Sequence, residues 1–250
     1  MRIKISQLTV SLDYEDKDII KAAAEKLECD EGRISGFKII RRSIDARKRR
    51  EAPVFSMHVE VEIPDPAEFP PPDDKEIEII SEQKIIPEIL IPKISGKAFI
   101  RPVVTGSGPS GLMAALVLAE AGISPLLIER GSPVRERTSQ VSLFWKKGEL
   151  NPEGNVLFGE GGAGLFSDGK LTTRSKDRAR VRRFLETLAK CGAPEDILID
   201  SEPHLGTDVL KKIVPAFRNL IEKAGGEVRF HSRLEGIRTE NGRLCGITVN

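Results

Sequence analysis

The sequence predicts an α/β chain in two unequal parts. Residues 1–64 read as a small α+β unit, and residues 97–250 as a unit of alternating strands and helices. Three observations carry this. The first 64 residues hold apolar alternation of period two around one stretch of helical period. Residues 65–96 are rich in proline and acids, which suits an extended linker and not a core. From residue 100 the pattern becomes strand, glycine turn, helix and strand, the signature of a parallel sheet with crossover helices.

In the N-terminal unit, 2–11 is a strand carrying Ile3, Ile5, Leu8 and Val10. Residues 14–29 form an amphipathic helix with acids at its start and Ile19, Ile20, Ala23 and Leu27 on one face. Residues 37–46 and 54–63 are two further strands, the second placing Phe55, Met57, Val59, Val61 and Ile63 on one side. This β-α-β-β order suggests part of a ferredoxin-like sandwich. Arg41, Arg42, Arg47, Lys48, Arg49 and Arg50 cluster between those strands. They could form a polyanion patch or shield an edge strand, and the lack of interleaved aromatics disfavours base stacking.

The most informative segment is IRPVVTGSGPSGLMAALVLAEAGISPLLIERG, residues 100–131. A valine-rich strand runs into Gly106, Gly108 and Gly111, with Pro109 and Ser110 between them opening a helix. Gly106 allows a tight turn, Gly108 lets backbone approach a diphosphate, and Gly111 lets helix and strand pack closely. The helix N-terminus offers free N–H groups and partial positive charge to that diphosphate. Leu112, Ala115, Leu116 and Ala119 form its apolar face, and Gly122 ends it. A second strand, 126–128, leads to Glu129, 18 positions after Gly111 and placed to accept hydrogen bonds from a ribose. This is a Rossmann-like dinucleotide site, and spacing alone leaves FAD and NAD both open.

A second glycine-rich stretch, FGEGGAGLFSDGKL at 158–171, is too dense in glycine for a strand or helix interior. Its backbone can curl into an anion-binding nest, with Gly161, Gly162, Ala163 and Gly164 as candidate cofactor contacts. Lys170 is a candidate for stabilising negative charge on a reduced ring. Helices are expected at 133–146, at 179–190 and from Thr207 as N-cap to Gly225, with Pro215 kinking the last. Trp145 is expected to be buried in packing. Residues 227–231 form a strand, and two more are joined at Asn241–Gly242, a hairpin turn.

GSGPSGL followed by LLIERG resembles the FAD-binding start of the flavoproteins with two dinucleotide-binding domains, the glutathione-reductase-like group. Together with GEGGAGLFSDGKL, PHLGTD and SIDARK, the chain resembles a bacterial family of FAD-dependent, or NAD(FAD)-utilising, dehydrogenases. The resemblance implies FAD as cofactor, with NAD(P)H as a candidate electron donor. It implies that Glu129, with Arg130 beside it, binds the ribose of the AMP half. It also implies that Arg137, in preference to Arg135, reaches the phosphates, and that Leu234 lies against the adenine. The family's flavin fold continues into an A-T-G-like strand and a G-D motif that 97–250 lacks. The resemblance therefore implies an N-terminal fragment whose partner is the C-terminal half of the same protein, and which alone holds FAD weakly or not at all. Neither substrate nor catalytic residues follow from it.

Composition narrows the remaining classes. A 250-residue chain with 39% hydrophobic and 31% charged residues can bury a core. A net charge of +1 gives no global pull toward nucleic acid or membrane. Cys29, Cys191 and Cys245 are scattered and without C-x-x-C spacing, which argues for a reducing, cytoplasmic setting and against a metal centre. The reading is an FAD-dependent oxidoreductase; the alternatives are a flavoprotein acting on RNA through 41–50 and an NAD-only dehydrogenase.

Overall fold

The computed structural model describes residues 1–47, 52–64, 74–80, 90–93 and 101–250. The chain divides into two compact units, Met1–Pro87 with Glu195–Pro203, and Glu88–Pro194 with His204–Asn250.

In the first unit β1 (Arg2–Val10), β2 (Gly36–Asp45), β3 (Val54–Glu62) and β4 (Ile77–Ile80) build an antiparallel sheet of order β2-β3-β1-β4, with α1 (Asp16–Leu27) between β1 and β2 in sequence. Ile3, Ile5, Met57, Val59 and Val61 are buried with Ile19, Ala23 and Leu27 of α1 in one core. Each such aliphatic side chain contributes roughly 1.5–3 kcal/mol when fully buried. The apolar residues of β1 change phase between Ile5 and Leu8. A register shift there, with Gln7 at φ 59°, returns Leu8 and Val10 to the core.

The expected linker over 65–96 needs correction at its middle. Ile77–Ile80 is a strand, with Ile77 opposite Ile5 and Ile79 opposite Ile3. The apolar-polar alternation of IEII suits an edge position on β1, and Lys4 lies 3.5 Å from Glu78. Most of the proline-rich stretch, including Pro87, lies outside the described residues.

In the second unit β5 (Val103–Thr105), β6 (Leu126–Ile128) and β7 (Glu227–Arg229) form a parallel sheet of order β5-β6-β7. α2 (Pro109–Glu120) buries Leu112, Ala115, Leu116 and Ala119. α3 (Val134–Lys147), α4 (Arg178–Lys190) and α5 (Thr207–Lys223) follow, the last burying Ile213, Val214, Phe217 and Ile221. β8 (Leu234–Glu240) and β9 (Arg243–Val249) make a hairpin at Asn241 (φ 51°) and Gly242 (φ 73°). Gly206, not Thr207, caps α5, and α5 runs through Pro215 as one helix. Trp145 is 65% exposed and meets only the ring of Phe166, edge to face, among the described aromatic residues. It stands one turn beyond the buried Val141 on the same face of α3, in the last turn of the helix, where the ring is left exposed. No described helix is long and apolar enough to cross a membrane.

Candidate functional site

The site is built where β5 turns into α2. Gly106 takes φ +92° and its N–H donates to the Ile128 carbonyl at 2.7 Å, tying the turn to the end of β6. Gly108 is the N-cap, Pro109 the first helical residue, and Leu112 N–H to Gly108 C=O (3.0 Å) the first intrahelical bond. The amides of Ser110 and Gly111 precede that bond, as the first amides of any helix do. A Cβ on Gly111 would run into the Gly106 carbonyl oxygen, which accounts for the glycine. A Cβ on Gly108 would find its nearest neighbour, Gly162 Cα, only at 4.0 Å. Backbone there is open to close approach.

Glu129 follows β6 and is 5% exposed. Its Oε2 accepts from the Ser107 N–H (2.8 Å) and hydroxyl (2.7 Å). Its Oε1 accepts from the N–H groups of Gly131 (2.9 Å) and Gly159 (3.1 Å). These four donors match the acceptor capacity of a carboxylate. Besides facing the cleft, the acid thus ties the first glycine turn to the second glycine-rich loop. Gly161 N–H donates to Ser107 C=O at 3.0 Å and reinforces the same join.

That second loop contains a 3-10 turn, Ala163–Phe166, preceded by Gly159, Gly161 and Gly162 at positive φ. Arg137 stands behind it, fully buried. Its guanidinium donates to the carbonyls of Asn155 (2.9 Å), Val156 (3.1 Å), Gly159 (3.2 Å), Glu160 (2.8 Å) and Gly162 (2.8 Å). Burial pulls its pKa down to about 10, against the attraction of Glu129 and Glu160. The expected phosphate contact is therefore corrected: the fork is turned into the loop's carbonyls and does not line the cleft. Sequence places a cation near an anion site but not the direction in which it points.

Gly106, Gly108, Glu129, Arg130, Gly162 and Leu234 meet around one cleft of about 410 Å³. Pro109, Ser110, Gly111, Gly161, Ala163 and Gly164 flank it without lining it. Arg130 sits over the Phe158 ring, 4.1 Å from its centroid, and is paired with Glu153 at 2.8 Å. Glu153 also takes Arg233 at 2.6 Å, and both arginines hold its carboxyl below the usual range, Arg130 most strongly. Lys170 pairs with Asp168 at 3.1 Å and does not line the cleft. Sequence reasoning missed Phe158, Gly159, Ser232 and Arg233 on the lining and Ser107 behind Glu129. Phe158 and Gly159 open the glycine-rich stretch and Arg233 precedes Leu234, so adjacency was the available signal.

The described arginines of the basic hairpin are engaged within the first unit. Arg41 donates to the Ser201 hydroxyl (2.7 Å), Arg42 to Asp200 (2.8 Å) and Arg47 to Asp45 (2.7 Å). Lys48, Arg49 and Arg50 lie outside the described residues. Among the described residues no group of three His, Cys, Asp or Glu side chains could hold a metal ion.

Two family models match the chain. Residues 2–62 match a domain of unknown function (DUF8436), and residues 101–141 match an FAD binding domain. An uncharacterized protein of Clostridium beijerinckii is 45% identical over 251 residues, covering 100% of this chain and 46% of that protein. A digeranylgeranylglycerophospholipid reductase of Methanocella arvoryzae is 30% identical over 154 residues, 58% of this chain and 33% of that one. The chain thus spans less than half the length of either curated relative. Among solved structures, Thermovibrio ammonificans THI4 aligns over 60% of this chain and 47% of its own, at 19% identity and a TM-score of 0.36.

Proposed function

We propose that the chain is the cofactor-binding part of an FAD-dependent oxidoreductase of the dehydrogenase type, in which the AMP half of FAD occupies the cleft between the first glycine turn and Leu234. One observation carries this. The glycine turn matched by the FAD binding domain, the acid after β6 and a second glycine-rich loop converge on one cleft with bare backbone at Gly108. These residues fit the group. The α2 N-terminus would hold the diphosphate, Glu129 would accept from the ribose by exchanging one of its four protein donors, and Leu234 with Arg130 would flank the adenine. Bound flavin would supply the electron transfer; the protein supplies binding and orientation.

The order and sense of the first sheet, with β1 adjacent to both β3 and β4, support a ferredoxin-like arrangement for the N-terminal unit. Length supports the fragment reading, since the Clostridium relative is about twice as long. The test of function is equilibrium binding of FAD, followed by flavin fluorescence, with ADP as competitor. Weak but saturable FAD binding, displaced by ADP, is expected. Binding of NADH but not FAD would favour the NAD-only dehydrogenase, and binding of neither would overturn the dinucleotide reading.

A further inference from the structure

The most unusual buried group of the second unit is Arg137. A guanidinium with no solvent exposure and no carboxylate in hydrogen-bond contact is instead wrapped by five backbone carbonyls between Asn155 and Gly162. Its neighbours fix it further. The Phe166 ring lies 4.9 Å from the guanidinium carbon, and a Cβ on Gly159 would strike its side chain. The charge is compensated by carbonyl dipoles and by two acids of the same site, Glu129 and Glu160.

A peptide unit that turns its carbonyl toward one side turns its N–H toward the other. By drawing in the carbonyls of Gly159, Glu160 and Gly162, Arg137 fixes how the loop presents its remaining backbone to Gly108, whose Cα is 3.1 Å from where a Gly162 Cβ would stand. Lysine cannot do this, because an ammonium is a point donor and lacks the planar fork.

We infer that Arg137 is a positioning residue for the cofactor: it shapes the second glycine-rich loop so that the loop grips the part of FAD beyond the AMP half. This rests on the proposed FAD site. The fork holds the loop by many geometrically fixed bonds, so a partial replacement misplaces it without emptying the first glycine turn. Two ligands separate these roles. AMP would meet the second loop only where Phe158, Gly159 and Gly162 line the cleft, whereas the rest of FAD would run on past Ala163 and Gly164.

The experiment compares FAD and AMP affinities of the full chain with those of Arg137→Lys. Loss of one or two charge-assisted bonds predicts FAD weakened about 30-fold, with AMP weakened less than about threefold. Phe166→Leu is the companion variant. It keeps the buried charge and removes the ring packed on the guanidinium, so a smaller loss of the same selective kind is expected if Arg137→Lys fails to fold. Equal weakening of both ligands in the variants would show a general structural role and overturn the inference, as would unchanged FAD affinity. A wild-type chain that binds AMP but not FAD would overturn it as well. A wild-type chain that binds neither ligand would sink the FAD reading, and this inference with it.

Discussion

Glu160 shows how a single residue in the site is held against its own solvation. It is 1% exposed, with Oε2 accepting the Val134 N–H (2.8 Å) at the start of α3. Its Oε1 makes no hydrogen bond, and Arg218 Nε stands 3.5 Å away as a bare ion pair. Burial dominates and raises its pKa above the ordinary 4.5, while the Val134 N–H and then Arg218 oppose the rise. An acid with a raised folded pKa binds its proton more tightly when folded. Its contribution to stability is therefore most favourable below 4.5 and declines as pH climbs through the raised value. Glu160→Gln keeps an acceptor for Val134 and removes the titration. The unfolding free energy of this variant from urea titration, relative to wild type, should rise between pH 4 and pH 7, ending ahead by about 1 kcal/mol. A constant difference across that range would show that the carboxylate titrates normally. What was legible at this scale was what leaves a backbone trace. Gly106 and Gly162 sit at positive φ and Gly111 lies against the Gly106 carbonyl, where few other residues are tolerated, while Gly108 and the acid at 129 follow from the spacing of the motif. Arg137 was legible as important but not in its direction, and Ser107 was not legible, because a serine between glycines has no distinguishing pattern.

Elements were read best where their period was unbroken. α2 with its four-residue apolar face and the hairpin at Asn241–Gly242 stand where expected, while β1 demanded a phase change that only a bulge explains. The strand at Ile77–Ile80 was hidden by its prolines and acids on either side, since four residues of alternation are too few to stand out from a linker. A non-local element could not be read at all. Glu195–Pro203 lies against β2, with Arg42 N–H donating to Ile199 C=O (2.8 Å) and Ser201 N–H to Arg42 C=O (2.8 Å). The Arg42 side chain locks this segment through Asp200 and Asp196 while its guanidinium lies 4.9 Å from the Phe55 ring centroid. Arg42→Met keeps the apolar stem and removes the ion pairs. The first unit should lose roughly 2 kcal/mol, on the scale of charge-assisted bonds at a mostly buried group. Exchange should accelerate at the amides that bridge β2 and this segment, those of position 42 and Ser201. Unchanged exchange there would mean that the backbone bonds alone hold the segment.

At the scale of the molecule the notable feature is that the strand carrying the glycine turn is at the edge of its sheet. Among the described strands β5 pairs with β6 alone, and Val103 is 38% exposed. Gly106 N–H and Pro102 C=O point at β6 (bonds of 2.7 and 2.9 Å), so by strand alternation the amides of Val103 and Thr105 face away from it. Such an edge is a template for another strand. The Clostridium relative aligns with the whole of this chain over 46% of its own length, which leaves more than enough sequence to supply one. The proposal, which rests on the fragment reading, is that sequence equivalent to the rest of that relative pairs with β5 and completes the FAD site. The chain Met1–Asn250 alone should then show rapid exchange at the Val103 and Thr105 amides and bind FAD weakly. Extending it with the sequence that matches the rest of the relative should slow exchange at those two amides and tighten FAD at least about tenfold, the effect of about 1.4 kcal/mol. Tight, stoichiometric flavin on Met1–Asn250, with Val103 and Thr105 already protected, would show that the site needs no such strand.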